Sequence, residues 1–85
     1  MASEIIAVGT TVGTQSAELT LVAGTPITYI FKGIGSVRLL FKDSGATLID
    51  TGIKMGSDGQ SNCVIDAAGV YRWERVSGNC GVQQG

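Results

Sequence analysis

The amino-acid sequence predicts an all-β protein: a small antiparallel β-sandwich or jelly-roll-like barrel of about seven to eight short strands. Three observations carry this. Apolar and polar residues alternate in short runs such as Ile27-Thr28-Tyr29-Ile30-Phe31-Lys32, the period of a strand with one wet face. The 13 glycines fall between those runs like turn punctuation. No segment keeps a helical period over a useful length.

The elements follow in order. Glu4-Ile5-Ile6-Ala7-Val8 predicts a first strand at a sheet edge, with Ile5 and Ile6 as candidate contact residues. Gly9 to Ser16, rich in Gly and Thr, predicts a loop. Ala17 to Val22 sets Leu19 and Leu21 on one face and Glu18 and Thr20 on the other, before a turn at Ala23-Gly24-Thr25-Pro26. Ile27, Tyr29 and Phe31 face inward in the next strand, Gly33-Ile34-Gly35 predicts a turn, and Val37, Leu39 and Phe41 face inward beyond it. Ile30 and Leu40 break the alternation on the wet face, which marks a second packing layer or a subunit contact. Asp43-Ser44-Gly45 predicts a turn, Ala46 to Met55 a strand, and Asp58-Gly59 a reversal toward Ser61 to Ile65.

Val64 to Val76 predicts a hairpin closed at Gly69, with Tyr71, Trp73 and Arg75 on one strand face and Arg72 and Glu74 on the other. Ser77-Gly78-Asn79 reads as a last turn and Cys80 to Gln83 as a short final strand.

Composition bounds the function. The 85 residues make one domain spanning residues 1–85. A chain this short buries only about 60–65% of its unfolded surface, so its core is thin. Charged residues are 15% of the chain, against about 25% in ordinary globular domains. Mean hydropathy is positive, which fits either apolar surface covered by a partner or a quiet Thr/Ser/Gly surface. A net charge of −1 argues against a nucleic-acid partner. No apolar run approaches the roughly 20 residues of a membrane span, so no membrane partner is expected. Met1-Ala2-Ser3-Glu4 is short and acidic and predicts no signal peptide. Cys63 and Cys80, with no histidine, cannot close a zinc site; reduced thiols are expected, and a disulfide between them stays open.

No catalytic, cofactor or metal site is predicted, and the chain is expected not to be an enzyme. Without histidine, no Ser-His-Asp or Cys-His relay exists. Leu48-Ile49-Asp50-Thr51-Gly52 resembles the Asp-Thr-Gly turn of aspartic proteases, which would make Asp50 one carboxyl of a homodimeric dyad. Ile53-Lys54 departs from that family's small residue and acid, and a β-turn or bulge capped by Asp50 explains the same residues. The acidic turns at Asp43, Asp50 and Asp58 lack the spacing of a calcium loop. Tyr71, Trp73 and Arg75 on one face either stack a sugar or a base, as in a carbohydrate-binding or adhesin-like module, or form core and rim.

The segment Val64-Ile65-Asp66-Ala67-Ala68-Gly69-Val70-Tyr71-Arg72-Trp73, followed by Cys80-Gly81-Val82, resembles the end of small β-sandwich decoration, or cement, proteins of tailed bacteriophage capsids. The polar start, the Gly/Thr loop and Leu19-Thr20-Leu21-Val22-Ala23-Gly24-Thr25-Pro26 are similar to their opening. The resemblance covers about half of the chain in texture. It implies a structural virion protein that binds the outer surface of the coat lattice, with the major capsid protein as partner. It also implies a homo-oligomer, a dimer or trimer, made in the host cytoplasm and located on the capsid surface. The contact residues expected for that role are Ile5, Ile6, Ile30, Leu40, Tyr71, Trp73 and Arg75.

Overall fold

The computed structural model describes residues 3–85, so the reading of Met1 and Ala2 lies outside the described residues. The chain forms six antiparallel strands: β1 (Ser3–Gly9), β2 (Leu19–Leu21), β3 (Ile27–Lys42), β4 (Leu48–Gly56), β5 (Asn62–Ile65) and β6 (Gly69–Gln84). The all-β prediction holds, and the strand number falls to six because two predicted turns are not turns. The chain runs straight through Gly33-Ile34-Gly35 within β3 and through Ser77-Gly78-Asn79 within β6.

β3 and β6, of 16 residues each, pair antiparallel from Tyr29–Gln84 to Lys42–Val70. Straight strands of that length would span about 50 Å, yet the longest extent of the molecule is 31 Å. The pair therefore bends, and the glycines are its hinge. Gly33, Gly35 and Gly78 have φ of 97°, 136° and 81°. A Cβ on any of them would stand 2.1–2.3 Å from a main-chain oxygen of the facing strand. Only glycine permits both the backbone conformation and the approach. Beside them the register slips at Ser36/Val37, where Val76 is the extra residue of a β-bulge that adds to the bend.

The bend makes two half-sheets from one ribbon. β2 and β4 flank the ribbon at the Tyr71/Phe41 end. β1 and β5 flank it at the other end, near Val82 and Tyr29. The half-sheets face each other and share one core, in which Trp73, Leu39, Val37 and Tyr71 from the first meet Tyr29, Phe31, Val82 and Ile65 from the second. Tyr29 and Trp73 meet across this interior edge to face, centroids 5.6 Å apart. That closure makes the molecule a small sandwich.

The Val64–Val76 hairpin is corrected by the same topology. β5 pairs with the start of β3, and β6 begins opposite its end. Residues 66–68 cross from one half-sheet to the other, which so short a link can do only because the bend brings the two ends of β3 together. The Gly9–Ser16 loop is likewise more ordered than its composition suggests. Gly13 N–H donates to the Arg75 carbonyl (2.9 Å), Arg75 N–H to Thr14 (2.9 Å) and Ser16 N–H to Trp73 (2.8 Å), extending β2's ladder along β6.

Candidate functional site

Five of the seven predicted contact residues are inside the protein. Trp73 is 0% exposed, Arg75 4% and Tyr71 7%, so these three form no stacking surface. Tyr71 packs against Phe41 instead, ring centroids 5.4 Å apart. Ile6 is buried in the core. Leu40 is 5% exposed and lies outside the core cluster, on the opposite face of β3. That face carries an ionic layer: Arg38 with Glu74 and Asp50, and Lys42 with Glu18 at 2.7 Å. Leu40 sits in register between Arg72 and Asp50 within this layer. The long charged side chains of that face account for its burial. Lys42, by hydrogen bond and charge, holds the Glu18 carboxyl below its ordinary range. Ile5 and Ile30 are half-buried, and Ile30 lies beside the chain's last residue, at the end of β3 remote from Leu40.

Arg75 is not a rim residue but a staple. Its Nε donates to the Cys80 carbonyl (3.0 Å), and Nη1 donates to the Thr11 carbonyl (3.0 Å) and the Thr14 hydroxyl (3.2 Å). Nη2 donates to the Ala7 carbonyl. Gly9 lies over the guanidinium, 3.2 Å from where a Cβ would sit, so β1 and the following loop close on it. No carboxylate pairs with it among the described residues. Main-chain carbonyls solvate the charge, and this fixes residues 7–14 against β6.

That fixed segment borders the surface that sequence reasoning missed. Ile34 is 73% exposed, Val12 66%, Val8 48% and Val76 42%. They flank one stretch of β6: Gly9 next to Val8 pairs with Cys80, Gly13 next to Val12 bonds Arg75, and Ile34 pairs with Asn79. Residues 5–17, 33–37 and 76–85 contain no Asp, Glu, Lys or Arg. The four aliphatics thus lie on segments without charged residues, although Val76 also faces the charged cleft and the Lys32–Glu4 pair lies near Ile34. The absence of charge in these segments was visible in the sequence; their convergence depends on the bend.

Asp50 has a turn role. Its Oδ1 accepts the Gly52 N–H (2.9 Å), Gly52 has φ 84°, and the other oxygen lies 3.5 Å from Arg38 Nη1. Three residues, Thr51-Gly52-Ile53, bulge out between Lys54 and Asp50 where Leu39 alone lies opposite. Cys63 and Cys80 are free, buried thiols; Cys80 donates to the Ser77 carbonyl at 3.3 Å. Among the described residues no three Cys, Asp or Glu side chains gather as they would around a metal ion.

An open cleft of about 800 Å³ lies between the bend and the β4–β5 turn. Its walls include Ser36, Arg38, Asp50, Lys54, Asp58, Val76 and four glycines, and no aromatic residue. A second hollow of about 310 Å³ lies over the ionic layer, among Gln15, Glu18, Lys42 and Arg72. The chain matches no protein-family model, no curated protein and no solved structure.

Proposed function

We propose that this chain is a structural virion protein, a decoration or cement protein that binds the outer coat lattice of a tailed bacteriophage and stabilises it. It acts as a homo-oligomer, with the major capsid protein as partner. The observation that supports this reading is the apolar corner, where Val8 and Val12 stand exposed on the segment that Arg75 holds in place and Ile34 stands exposed on β3 nearby. Exposed aliphatics on a preorganised surface favour association, because little freedom is lost when a partner covers them. A thin core gains stability from the same event. On a lattice, many modest contacts add up through multivalency.

The test is cosedimentation of the whole chain with empty shells of the coat protein encoded in the same genome. Saturable binding is expected, with a loss of about tenfold or more when Val12 and Ile34 are both changed to Asp. No binding, or unaltered binding by the double variant, contradicts the role or the surface assigned to it.

A further inference from the structure

We infer that the cleft between the bend and the β4–β5 turn is a self-complementary contact through which two copies of this chain pair, Lys54 of each against Asp58 of the other. Lys54 and Asp58 both line the cleft, and neither has an ion partner among the described residues. Lys54 also stands directly across the ladder from Arg38, another cation, an arrangement that costs stability. Glu74 and Asp50 occupy Arg38, so its charge is answered and that of Lys54 is not.

Two unmatched opposite charges on one surface become matched in a two-fold contact, where residue i meets j and j meets i. A carboxylate arriving beside Lys54 also offsets the repulsion from Arg38. Val76, 42% exposed on the cleft wall, supplies an apolar centre for the contact. The absence of aromatic lining argues against a sugar or base as occupant.

Strand addition is a poorer route to pairing, because every edge is blunted. β2 has 3 residues and β5 has 4, β1 carries two register irregularities, and β4 carries the Thr51–Ile53 bulge. A standard contact buries about 800 Å² per partner, roughly one-sixth of this chain's 4677 Å². The inference rests on the self-association part of the proposed function and not on coat binding.

The test is sedimentation equilibrium of the whole chain without shells, from roughly 1 µM to 1 mM. The wild type is expected to dimerise, more weakly as salt is raised. Lys54→Glu and Asp58→Lys each weaken the dimer about tenfold or more, and the double variant restores it to within about threefold. Lys54→Glu also removes the like-charge pair with Arg38, so its melting temperature is expected to match or exceed the wild type, which separates lost pairing from lost folding. A wild type that stays monomeric, single variants that pair normally, or a double variant that fails to recover each overturns the inference. A monomer that still binds shells overturns it and leaves coat binding standing; a dimer that ignores shells does the reverse.

Discussion

Arg75 shows how one residue ties distant chain segments together. Removing its guanidinium strands the buried Cys80 carbonyl, at about 1–3 kcal/mol, and leaves the part-buried carbonyls of Ala7 and Thr11 to water. Arg75→Met is therefore expected to lower the unfolding free energy in urea by about 1–3 kcal/mol; a loss below about 1 kcal/mol contradicts the staple. The inward direction of Tyr71, Trp73 and Arg75 was legible in the alternation along the strand. The acceptors were not, because the Ala7 and Thr11 carbonyls and the Thr14 hydroxyl all lie more than 60 residues away in the chain.

The core thiol and phenol add a pH dependence. Burial raises the Cys63 thiol above its ordinary value of 9.0. Burial first, and then the charge on Cys63, raises the Tyr29 phenol above 10.0. The folded chain keeps these protons where the unfolded chain releases them. Their stabilisation is complete below pH 9.0 and is lost as pH rises through the elevated folded values. Thermal unfolding followed from pH 8 upward, in units of about 0.5, is expected to show a melting temperature that begins to fall near pH 9. Cys63→Ala moves that onset toward pH 10, and the same onset in the variant contradicts the assignment.

At the scale of the element, the same glycines that look like punctuation prove to be bends. Gly33, Gly35 and Gly78 sit where turns are ordinarily found, and the sequence carries no mark distinguishing reversal from close approach. What separates the two is the partner strand, whose backbone fills the space a Cβ would take. Gly78→Ala places a Cβ 2.2 Å from the Ile34 carbonyl oxygen at a φ of 81°. The expected result is a chain that fails to fold or loses more than about 3 kcal/mol. Near-native melting would contradict a glycine hinge. By contrast, Gly13, also at positive φ, meets nothing within 4 Å and takes alanine at the backbone cost alone.

The strand faces were legible for the same reason the fold class was: period-two alternation in β3 and β6 states which residues go inward, and Tyr29, Phe31, Val37 and Leu39 do. Leu40 was legible as one of two things, a second packing layer or a subunit contact; its burial beside the ion pairs of Arg38, Lys42 and Glu18 fits the first. Strand pairing was not legible at all, since β5 and β6 are neighbours in sequence and partners of the same third strand rather than of each other.

For the whole molecule, the bend decides what the surface offers. It closes two half-sheets over one core and gathers uncharged segments from the start, middle and end of the chain at one corner. The charged residues lie around that corner, on the ionic layer, in the cleft that Val76 also lines, and in the Lys32–Glu4 pair. An apolar corner and a bipolar cleft are chemically different surfaces; under the proposed function the first suits a neutral partner surface, and under the pairing inferred above the second suits another copy of the chain.

The most direct measurement is a cryo-electron-microscopy reconstruction of coat shells incubated with a saturating excess of the chain. Added density is expected at regular positions on the outer lattice, with the corner of Val8, Val12 and Ile34 turned toward the coat. Bare shells, or density in which that corner points to solvent, would contradict it.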